Sequence, residues 1–240
     1  MQTPKEAKKG RQMMKKTMLF TLICLSATLP GIAQSKVDNR LGDSAEVLRQ
    51  MLAGHDGVPK QVLDKAVCVL VYPAVKKVGV GIGVTYGRGV LVCRSGANMD
   101  GKWSAPAMYT LDVGSLGVQL GSSATDYVLL VESKEGANKI LSGKLKLGAD
   151  ATAVAGPTGA KAVGANDVNA DILTYSRAKG GLFAGTSLGS ASMASDNDAN
   201  KKLYGKDIDA TEIVRNGAVS TPSSGEPLVE VLEKASPAHE

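Results

Sequence analysis

Histidine, cysteine and aromatic residues are scarce in this chain of 240 residues. It has two histidines, three cysteines, one tryptophan and two phenylalanines, and aromatic residues make up 4% of the total. His55 lies in a His-Asp-Gly turn and His239 is the second-last residue, so the sequence does not favour an active site that depends on histidine. The sequence contains no Cys-x-x-Cys pair and no residue cluster with metal-ligand spacing. It therefore predicts neither a metal site nor a cofactor.

Nucleotide-binding loops are also absent from the sequence. The glycines of residues 79–89 do not complete the dinucleotide-binding pattern G-x-G-x-x-G, because Val84, Tyr86 or Val92 occupies the last glycine position in each frame. The phosphate-binding pattern G-x-x-x-x-G-K-[ST] does not occur either. The sequence therefore gives no reason to expect a bound nucleotide.

One catalytic motif is matched. Residues 185–189 read Gly-Thr-Ser-Leu-Gly, which fits the G-x-S-x-G nucleophile elbow of α/β-hydrolases. The elbow requires a strand, a sharp turn and a helix, whereas the flanks here are rich in glycine and serine. Ser187 would also need a positioned base, and His239 is the single histidine that follows it. A serine hydrolase is therefore an alternative to the non-enzymatic function that the sequence favours.

The N-terminal segment has the pattern of a secretory signal peptide. A basic stretch precedes an apolar run from Met18 to Leu29, and Pro30 and small residues follow it up to Ala33. The run is shorter than the roughly 20 residues that a membrane-spanning helix needs. The sequence therefore predicts a signal peptide over residues 1–33 and a single domain over residues 34–240. We expect an exported protein, periplasmic or extracellular, that could associate with a membrane surface.

The basic charge of the chain belongs to this leader. The whole chain has 28 basic and 23 acidic residues, of which the leader holds six basic residues and one acidic residue. The remaining 22 basic residues are balanced by 22 acidic ones, counted on the same sequence. The overall pI of about 9.0 therefore gives no reason to expect a nucleic-acid partner.

An apolar stripe and a group of lysines provide a candidate lipid contact. Residues 37–52 form a predicted amphipathic helix whose leucines recur at four-residue spacing, a stripe that monomeric domains normally pack onto their sheet. Lysines flank the apolar run that follows, and an apolar stripe bordered by lysines is typical of an interfacial membrane contact. An ordinary solvated surface is the alternative. The predicted lipid-binding residues are Leu41, Leu48, Leu52, Lys60, Lys65, Lys76 and Lys77.

The segment GVGIGVTYGRGV, residues 79–90, alternates with a period of two. Glycine occupies most of the odd positions, and Val, Ile, Tyr or Arg occupies the even ones. Successive side chains of a strand point to opposite faces, so one face of this strand is nearly bare backbone. Glycine in a strand usually marks a close approach by another group. The segment therefore indicates tight packing or strong curvature, with a lipid-contacting face as the alternative.

Two cysteines, Cys68 and Cys93, lie in apolar runs of residues 34–240 that resemble strands. An oxidising exported compartment permits a disulfide between them. Their spacing does not show whether the two Cβ atoms meet, so two buried thiols are the alternative.

The first half of the chain is predicted to begin with two helices, which a series of strands follows. Apolar spacing, glycines and prolines mark where these elements begin and end. The predicted elements are helices at 37–52 and 59–65, a strand at 66–72 ended by Pro73, a turn that holds Lys76 and Lys77, a single strand at 79–90, and further strands at 90–94, 107–112, 115–120 and 127–132.

Polar residues mark the helices of the second half. Ser133 is a predicted N-cap, the run Asp196-Asn197-Asp198 is predicted to open a helix, and Asp209 and Glu212 have capping-box spacing for the next helix. Residues 180–193 are predicted to form a strand pair. Strands bracketed by helices, without regular βα alternation, indicate an α+β fold. We expect a curved, mainly antiparallel sheet or barrel-like core with flanking helices at both ends.

The chain resembles the SYLF domain over about residues 45–233. The resemblance rests on ordered blocks with the expected spacing. These blocks are GVGIGVTYGRGV at 79–90, GKWSAPAMYTL at 101–111, GSLGVQLG at 114–121, AGPTGAKAV at 155–163 and YSRAKGGLFAGTSLGSA at 175–191.

The resemblance implies a lipid-binding, non-enzymatic module. Eukaryotic members bind phosphoinositides, and the yeast actin-patch branch binds actin. Because a leader is predicted and the sequence shows no SH3 or FYVE domain, we expect a member of the bacterial exported branch of the family. A phospholipid or another envelope lipid is therefore a better expected partner than phosphoinositide or actin. An envelope structural or protein-interaction domain without a lipid site is the alternative.

Overall fold

The computed structural model describes residues 31–53, 57–80, 82–114, 120–157, 170–178, 181–184, 188 and 191–238. The chain divides into a unit of residues 1–33, nearly all outside these ranges, and a unit of residues 34–240. Residues 1–30 of the predicted leader, residues 115–119 of the strand expected at 115–120, and Ser187 of the elbow-like motif lie outside the described residues.

The described part of residues 34–240 forms one curled, mixed sheet with helices at both ends, which confirms the predicted α+β class. All strand pairs are antiparallel except the parallel pair β6–β7. The strands are β1 Cys68–Val80, β2 Ile82–Cys93, β3 Ala107–Gly114, β4 Leu120–Val131, β5 Leu145–Lys146, β6 Ala153–Ala155, β7 Ile172–Ala178, β8 Gly181–Ala184 and β9 Ala191–Ser195. Their order is β5-β9-β3-β2-β1-β4-β7-β6, and β8 pairs with β7.

Six helices are described, and they cover both faces of the sheet. They are α1 Gly31–Ala53, α2 Lys60–Lys65, α3 Lys134–Leu141, α4 Asn197–Tyr204, α5 Ala210–Val214 and α6 Glu226–Ala235. None of the described helices has the length and apolar content that a bilayer crossing requires.

Successive side chains of β1 point to opposite faces of the sheet and therefore belong to two different buried clusters. Val69 and Val71 pack in the cluster that includes apolar residues of α1, α2, α4 and α6. Leu70 and Tyr72 point to the other face and pack with α3 and α5. Both clusters consist of residues from Val37 to Leu232, so residues 34–240 contain the described core of the fold.

The helix starts predicted from polar residues are confirmed. Ser133 Oγ accepts a hydrogen bond from the Gly136 amide at 2.9 Å, which caps α3. Asp196 Oδ1 accepts from the Ala199 amide at 3.2 Å and caps α4. Asp209 caps α5 in a complete capping box. These predictions succeed because a cap depends on residues within one helical turn.

The prediction that the first strand ends at Pro73 was wrong. β1 continues to Val80 through a bulge, where the register with β4 shifts between Tyr72 and Val75. Ala74 adopts a φ of +46° there, and its amide donates a hydrogen bond to Asp126 Oδ1 at 2.8 Å. Proline cannot donate to a sheet ladder, but a bulge accommodates it. The lysines expected in a turn are therefore part of β1.

The single strand predicted for residues 79–90 is a hairpin. β1 ends at Val80 and β2 begins at Ile82, and the register pairs Gly79 with Gly83. A Cβ on Gly89 would lie 2.2 Å from the Val71 carbonyl oxygen and 2.4 Å from Tyr72 Cδ1. Tight packing is therefore the role of Gly89, and no larger side chain fits that space.

The glycine- and serine-rich segment 180–193 does not form the predicted strand pair. β8 pairs with β7, with Tyr175 opposite Ala184, whereas β9 pairs with β3, with Leu111 opposite Met193. The two strands lie in separate parts of the sheet. Composition identified both strands, but pairing depends on the register of the whole sheet.

Candidate functional site

The apolar stripe of α1 is packed against the sheet. Leu41 and Leu48 have no exposed surface, and Leu52 is partly buried against the same cluster. The expectation that this helix packs onto the sheet is confirmed. A lipid contact through Leu41 and Leu48 would therefore require α1 to leave the sheet.

The four predicted lysines fall into two separate groups. Lys60 and Lys65 lie on α2, and Lys60 pairs with Asp64 at 2.8 Å. Lys76 and Lys77 lie in the far half of β1, eight and nine residues beyond Cys68. With a rise of about 3.3 Å per residue, Lys76 and Lys77 lie roughly 25 Å along β1 from Cys68, which is at the end of the strand that follows α2. The lysines do not form one cluster.

An exposed group of cationic and aromatic side chains surrounds Lys76. Tyr86, directly opposite exposed Lys76 on β2, is 42% exposed, and the Arg88 side chain on the same face is 52% exposed. Arg88 Nε donates a hydrogen bond to Tyr86 Oη at 2.8 Å. Exposed Asp112 on β3 lies opposite Tyr86. We call Lys76, Tyr86 and Arg88 the open-face patch.

Arg40 of α1 lies at the border of this patch and is half-buried. Burial lowers the pKa of Arg40, the neighbouring charge of Arg88 lowers it further, and Asp196 opposes both effects. Arg40 Nη1 is buried and has no hydrogen-bond partner among the described residues. Asp196 Oδ2 lies 3.8 Å from Arg88 Nε. The Asp196 carboxylate thus acts on both guanidinium groups, and Asp198 also attracts Arg88.

The two predicted cysteines form a disulfide. Cys68 and Cys93 are register partners at the start of β1 and the end of β2, and both are fully buried. The bond closes the end of the β1–β2 hairpin that is remote from the patch. The register of two long strands determines this pairing, which explains why sequence spacing left it open.

Glu132, at the end of β4, is a partly buried carboxylate that sequence analysis did not identify. Burial raises the pKa of Glu132 to about 7, while the charge of Lys65 acts in the opposite direction. Its Oε1 is buried without a hydrogen-bond partner among the described residues. No three His, Cys, Asp or Glu side chains are grouped to hold a metal ion in the described ranges.

Sequence analysis also missed Arg40, Tyr86 and Arg88 as site residues. A signal for two of them was present, since Tyr86 and Arg88 occupy even positions of the alternating segment 79–90. Their exposure could not be read from that alternation, because the same face carries buried Val90 two residues later. The change from buried to exposed depends on which part of the face the helices cover.

Comparison with known proteins identifies the domain. Residues 112–235 match the family described as Ysc84: Las17-binding protein actin regulator. An SH3 domain-containing protein of Schizosaccharomyces pombe is 36% identical over 189 residues, which cover 77% of this chain and 43% of that protein. Protein YSC84 of Saccharomyces cerevisiae is 30% identical over 201 residues, 79% of this chain and 42% of the yeast protein.

A human relative is similar over a comparable range. SH3 domain-containing YSC84-like protein 1 of Homo sapiens is 28% identical over 208 residues, which cover 83% of this chain and 59% of the human protein. The chain thus spans less than two thirds of the length of each of these relatives. It belongs to the Ysc84 family, whose common unit is the SYLF domain.

Proposed function

We propose that this domain is a non-enzymatic module of an exported protein that binds the surface of a phospholipid bilayer, or of another envelope lipid, through its open-face patch. The observation that carries the proposal is the joint exposure of Lys76, Tyr86 and Arg88. They lie on the same sheet face as the strand residues that α1 covers. Tyrosine rings favour the headgroup level of a bilayer, where the hydroxyl stays wet and the ring is partly buried.

Charge complementarity supports a phospholipid partner. A Lys or Arg close to an anionic membrane contributes about 1 kcal/mol of binding free energy. Lys76 and Arg88 would therefore contribute at most about 2 kcal/mol together at low salt, because Asp196 beside Arg88 and exposed Asp112 opposite Tyr86 reduce the attraction. The balanced charge of residues 34–240 makes this a local attraction, because the domain carries no large net charge that would attract every polyanion.

Export is part of this proposal and rests on the leader pattern of residues 1–33. The disulfide between Cys68 and Cys93 is compatible with it, because disulfides persist in oxidising compartments. Processed protein beginning near Gln34 in a periplasmic or culture fraction would support export. Unprocessed protein confined to the cytoplasmic fraction would contradict it.

Vesicle co-sedimentation of residues 34–240 tests the lipid contact. We expect binding to vesicles that contain phosphatidylglycerol and weaker binding to phosphatidylcholine vesicles, with a decrease at high salt because exposed charges are screened. Lys76→Glu should weaken binding severalfold. Lys60→Glu is the matched control, since Lys60 is also exposed but lies on α2 near the start of β1.

The two variants separate the possible contact surfaces. Loss of binding in Lys60→Glu but not in Lys76→Glu would move the contact to the α2 end of the sheet. Unchanged thermal stability in both variants is required for either interpretation. Binding by neither parent nor variants would contradict the lipid function.

A protein partner is the second candidate function. It is favoured by the family description, which names Las17-binding proteins. An envelope structural or interaction domain of this kind would bind no vesicles after delipidation. Esterase screening with Ser187→Ala as the control tests the hydrolase alternative, and activity that survives this change would exclude the elbow as its source.

A further inference from the structure

The turn that follows α5 contains Asn216-Gly217, the single Asn-Gly pair of the sequence. Both residues are exposed, and Gly217 adopts a φ of +62°, a conformation that favours glycine. A Cβ on Gly217 would have nothing within 4 Å. Because glycine has no side chain to hinder the approach, its main-chain nitrogen can attack the side-chain amide of a preceding asparagine. The turn is therefore a candidate site for a reaction of the chain with itself.

The hydrogen bonds of this turn leave the Gly217 nitrogen available. The Asn216 amide donates to the Thr211 carbonyl at 3.2 Å, and the Ala218 amide donates to the Glu212 carbonyl at 3.0 Å. Between them, the Gly217 amide donates no main-chain hydrogen bond to an acceptor in the described ranges. Rotation of the Asn216–Gly217 peptide toward the side-chain amide thus requires the loss of one exposed hydrogen bond, that of Ala218.

An Asp-Gly pair, Asp100-Gly101, provides a comparison within the same protein. Aspartate can close the same ring onto the next nitrogen, with loss of water. Here, however, the Gly101 amide donates to the Ser95 carbonyl at 3.1 Å, and the Gly101 carbonyl accepts from Arg94 Nη1 at 3.2 Å. A Cβ on Gly101 would lie 2.7 Å from Ser95 Oγ. The fold therefore restrains this pair, whereas it leaves the pair at Asn216 free to react.

We propose that Asn216 is a site of spontaneous deamidation that alters the end of α5 as the protein ages. The Gly217 nitrogen attacks Asn216 Cγ and closes a succinimide ring. The bond between Cγ and the side-chain nitrogen breaks, and ammonia leaves with the Gly217 amide proton. Solvent water then opens the ring at either of its two carbonyls. One opening gives aspartate, and the other gives isoaspartate, in which the main chain passes through Cβ and Cγ and is longer.

Both products change the C-terminal end of α5. Each places a new carboxylate beside the carbonyls of the last helical turn, where negative charge is unfavourable. Isoaspartate also lengthens the chain between the Asn216 and Ala218 amides, both of which bond to α5. α5 supplies the buried side chains of Ile213 and Val214 to the core. The reaction should therefore loosen the attachment of α5, and it does not depend on the proposed lipid contact.

Incubation of residues 34–240 at mildly alkaline pH tests the site, with one sample native and one unfolded in guanidinium chloride. Peptide mapping by mass spectrometry follows the loss of Asn216, and isoaspartate detection follows Asp100. We expect Asn216 to react in the native protein within about tenfold of its rate in the unfolded chain, because one hydrogen bond must open. The ratio of native to unfolded rate should be much lower for Asp100. This ratio removes the difference in intrinsic reactivity between the two pairs.

Two glutamine variants identify the source of the product. Asn216→Gln should lose the isoaspartate formed in this turn, because glutamine would have to close a larger and less favourable ring. Asn138→Gln is the matched control, since Asn138 is exposed on α3 but Lys139 follows it, and the yield should stay unchanged. Hydrogen exchange of fully reacted protein should show reduced protection of the Ala218 amide. Freshly prepared Asn216→Asp separates the effect of the charge from that of the longer chain.

Three results would overturn the proposal. The first is a native rate at Asn216 that is as low, relative to the unfolded chain, as the rate at Asp100. The second is a full isoaspartate yield from Asn216→Gln, which would assign the product to another residue. The third is unchanged protection of the Ala218 amide in fully reacted protein, which would refute the effect on α5.

Discussion

The guanidinium of Arg94 lies 4.2 Å from the centre of the Trp103 ring, and both side chains bind the main-chain carbonyl of Ser236. Arg94 also donates to the carbonyls of Gly101 and Pro237, although its side chain is almost fully buried. Ser236 is the C-cap of α6, where a cation stabilises the unpaired helix carbonyls. This pair therefore attaches the last helix to the β2–β3 connection.

Removing the charge of Arg94 should destabilise the fold. Arg94→Met removes the donor to the Pro237 carbonyl and to Ser236 Oγ and leaves the Ser236 carbonyl with Trp103 Nε1 alone, which should cost about 3 kcal/mol of unfolding free energy. Urea denaturation measures the loss, and hydrogen exchange should show reduced protection in α6. Arg49→Met, an exposed arginine of α1, is the control and should change stability by less than about 0.5 kcal/mol. Equal effects of the two substitutions would contradict this role.

Reduction of the disulfide should also lower stability. Cys68 and Cys93 are separated by 25 residues, and a closed loop of this size restricts the unfolded chain by about 3 kcal/mol. Urea denaturation with and without reductant should reveal a difference of that order. The double variant Cys68→Ala with Cys93→Ala should be insensitive to reductant. No difference between oxidised and reduced parent protein would show that the bond does not contribute to stability.

Local features of this fold could be predicted from the sequence, and long-range ones could not. Ser133 and Asp209 were recognised because each bonds an amide three residues away. The bulge at Pro73 was missed because it is stabilised by Asp126, which is 52 residues from Ala74 in sequence. Sequence patterns contain no direct information about such a partner.

For the candidate site, too, local features could be predicted from the sequence and long-range ones could not. The amphipathic helix and the alternating segment 79–90 were both visible as periodic patterns. Whether Tyr86 and Lys76 meet depends on the β1–β2 register, and whether they are exposed depends on how far α1 extends over the sheet. The lysines grouped by sequence proximity were separated because β1 is a long strand and not a strand followed by a turn.

Glu132 should make stability depend on pH. Burial raises its folded pKa to about 7 from 4.5, so the folded protein binds more protons than the unfolded chain between these values. Stability contributed by the protonated form is therefore complete below about pH 4.5 and is lost as pH rises through 7. After allowance for solvent screening, we expect a loss on the order of 1–2 kcal/mol.

The measurement is the free energy of unfolding in urea at pH 5 and pH 7.5. Glu132→Gln should remove this part of the decrease, because glutamine does not ionise. Glu135→Gln, at an exposed position of α3, should keep the decrease of the parent protein. A parent protein that gains stability between these pH values relative to Glu132→Gln would refute the assigned direction.

Substitution by alanine should change the stability of the fold in opposite directions at two glycines. A Cβ on Gly89 would meet the Val71 carbonyl oxygen at 2.2 Å and the Tyr72 ring at 2.4 Å, and the backbone oxygen cannot move without disturbing β1. Gly89→Ala should therefore destabilise the fold by roughly 2–3 kcal/mol. Gly42 lies on α1, where an added methyl group would have nothing within 4 Å, so Gly42→Ala should stabilise by about 0.5–1 kcal/mol through helix propensity. Thermal and urea denaturation of both variants check the pair, and stabilisation by Gly89→Ala would show that β1 and β2 do not approach as closely as described.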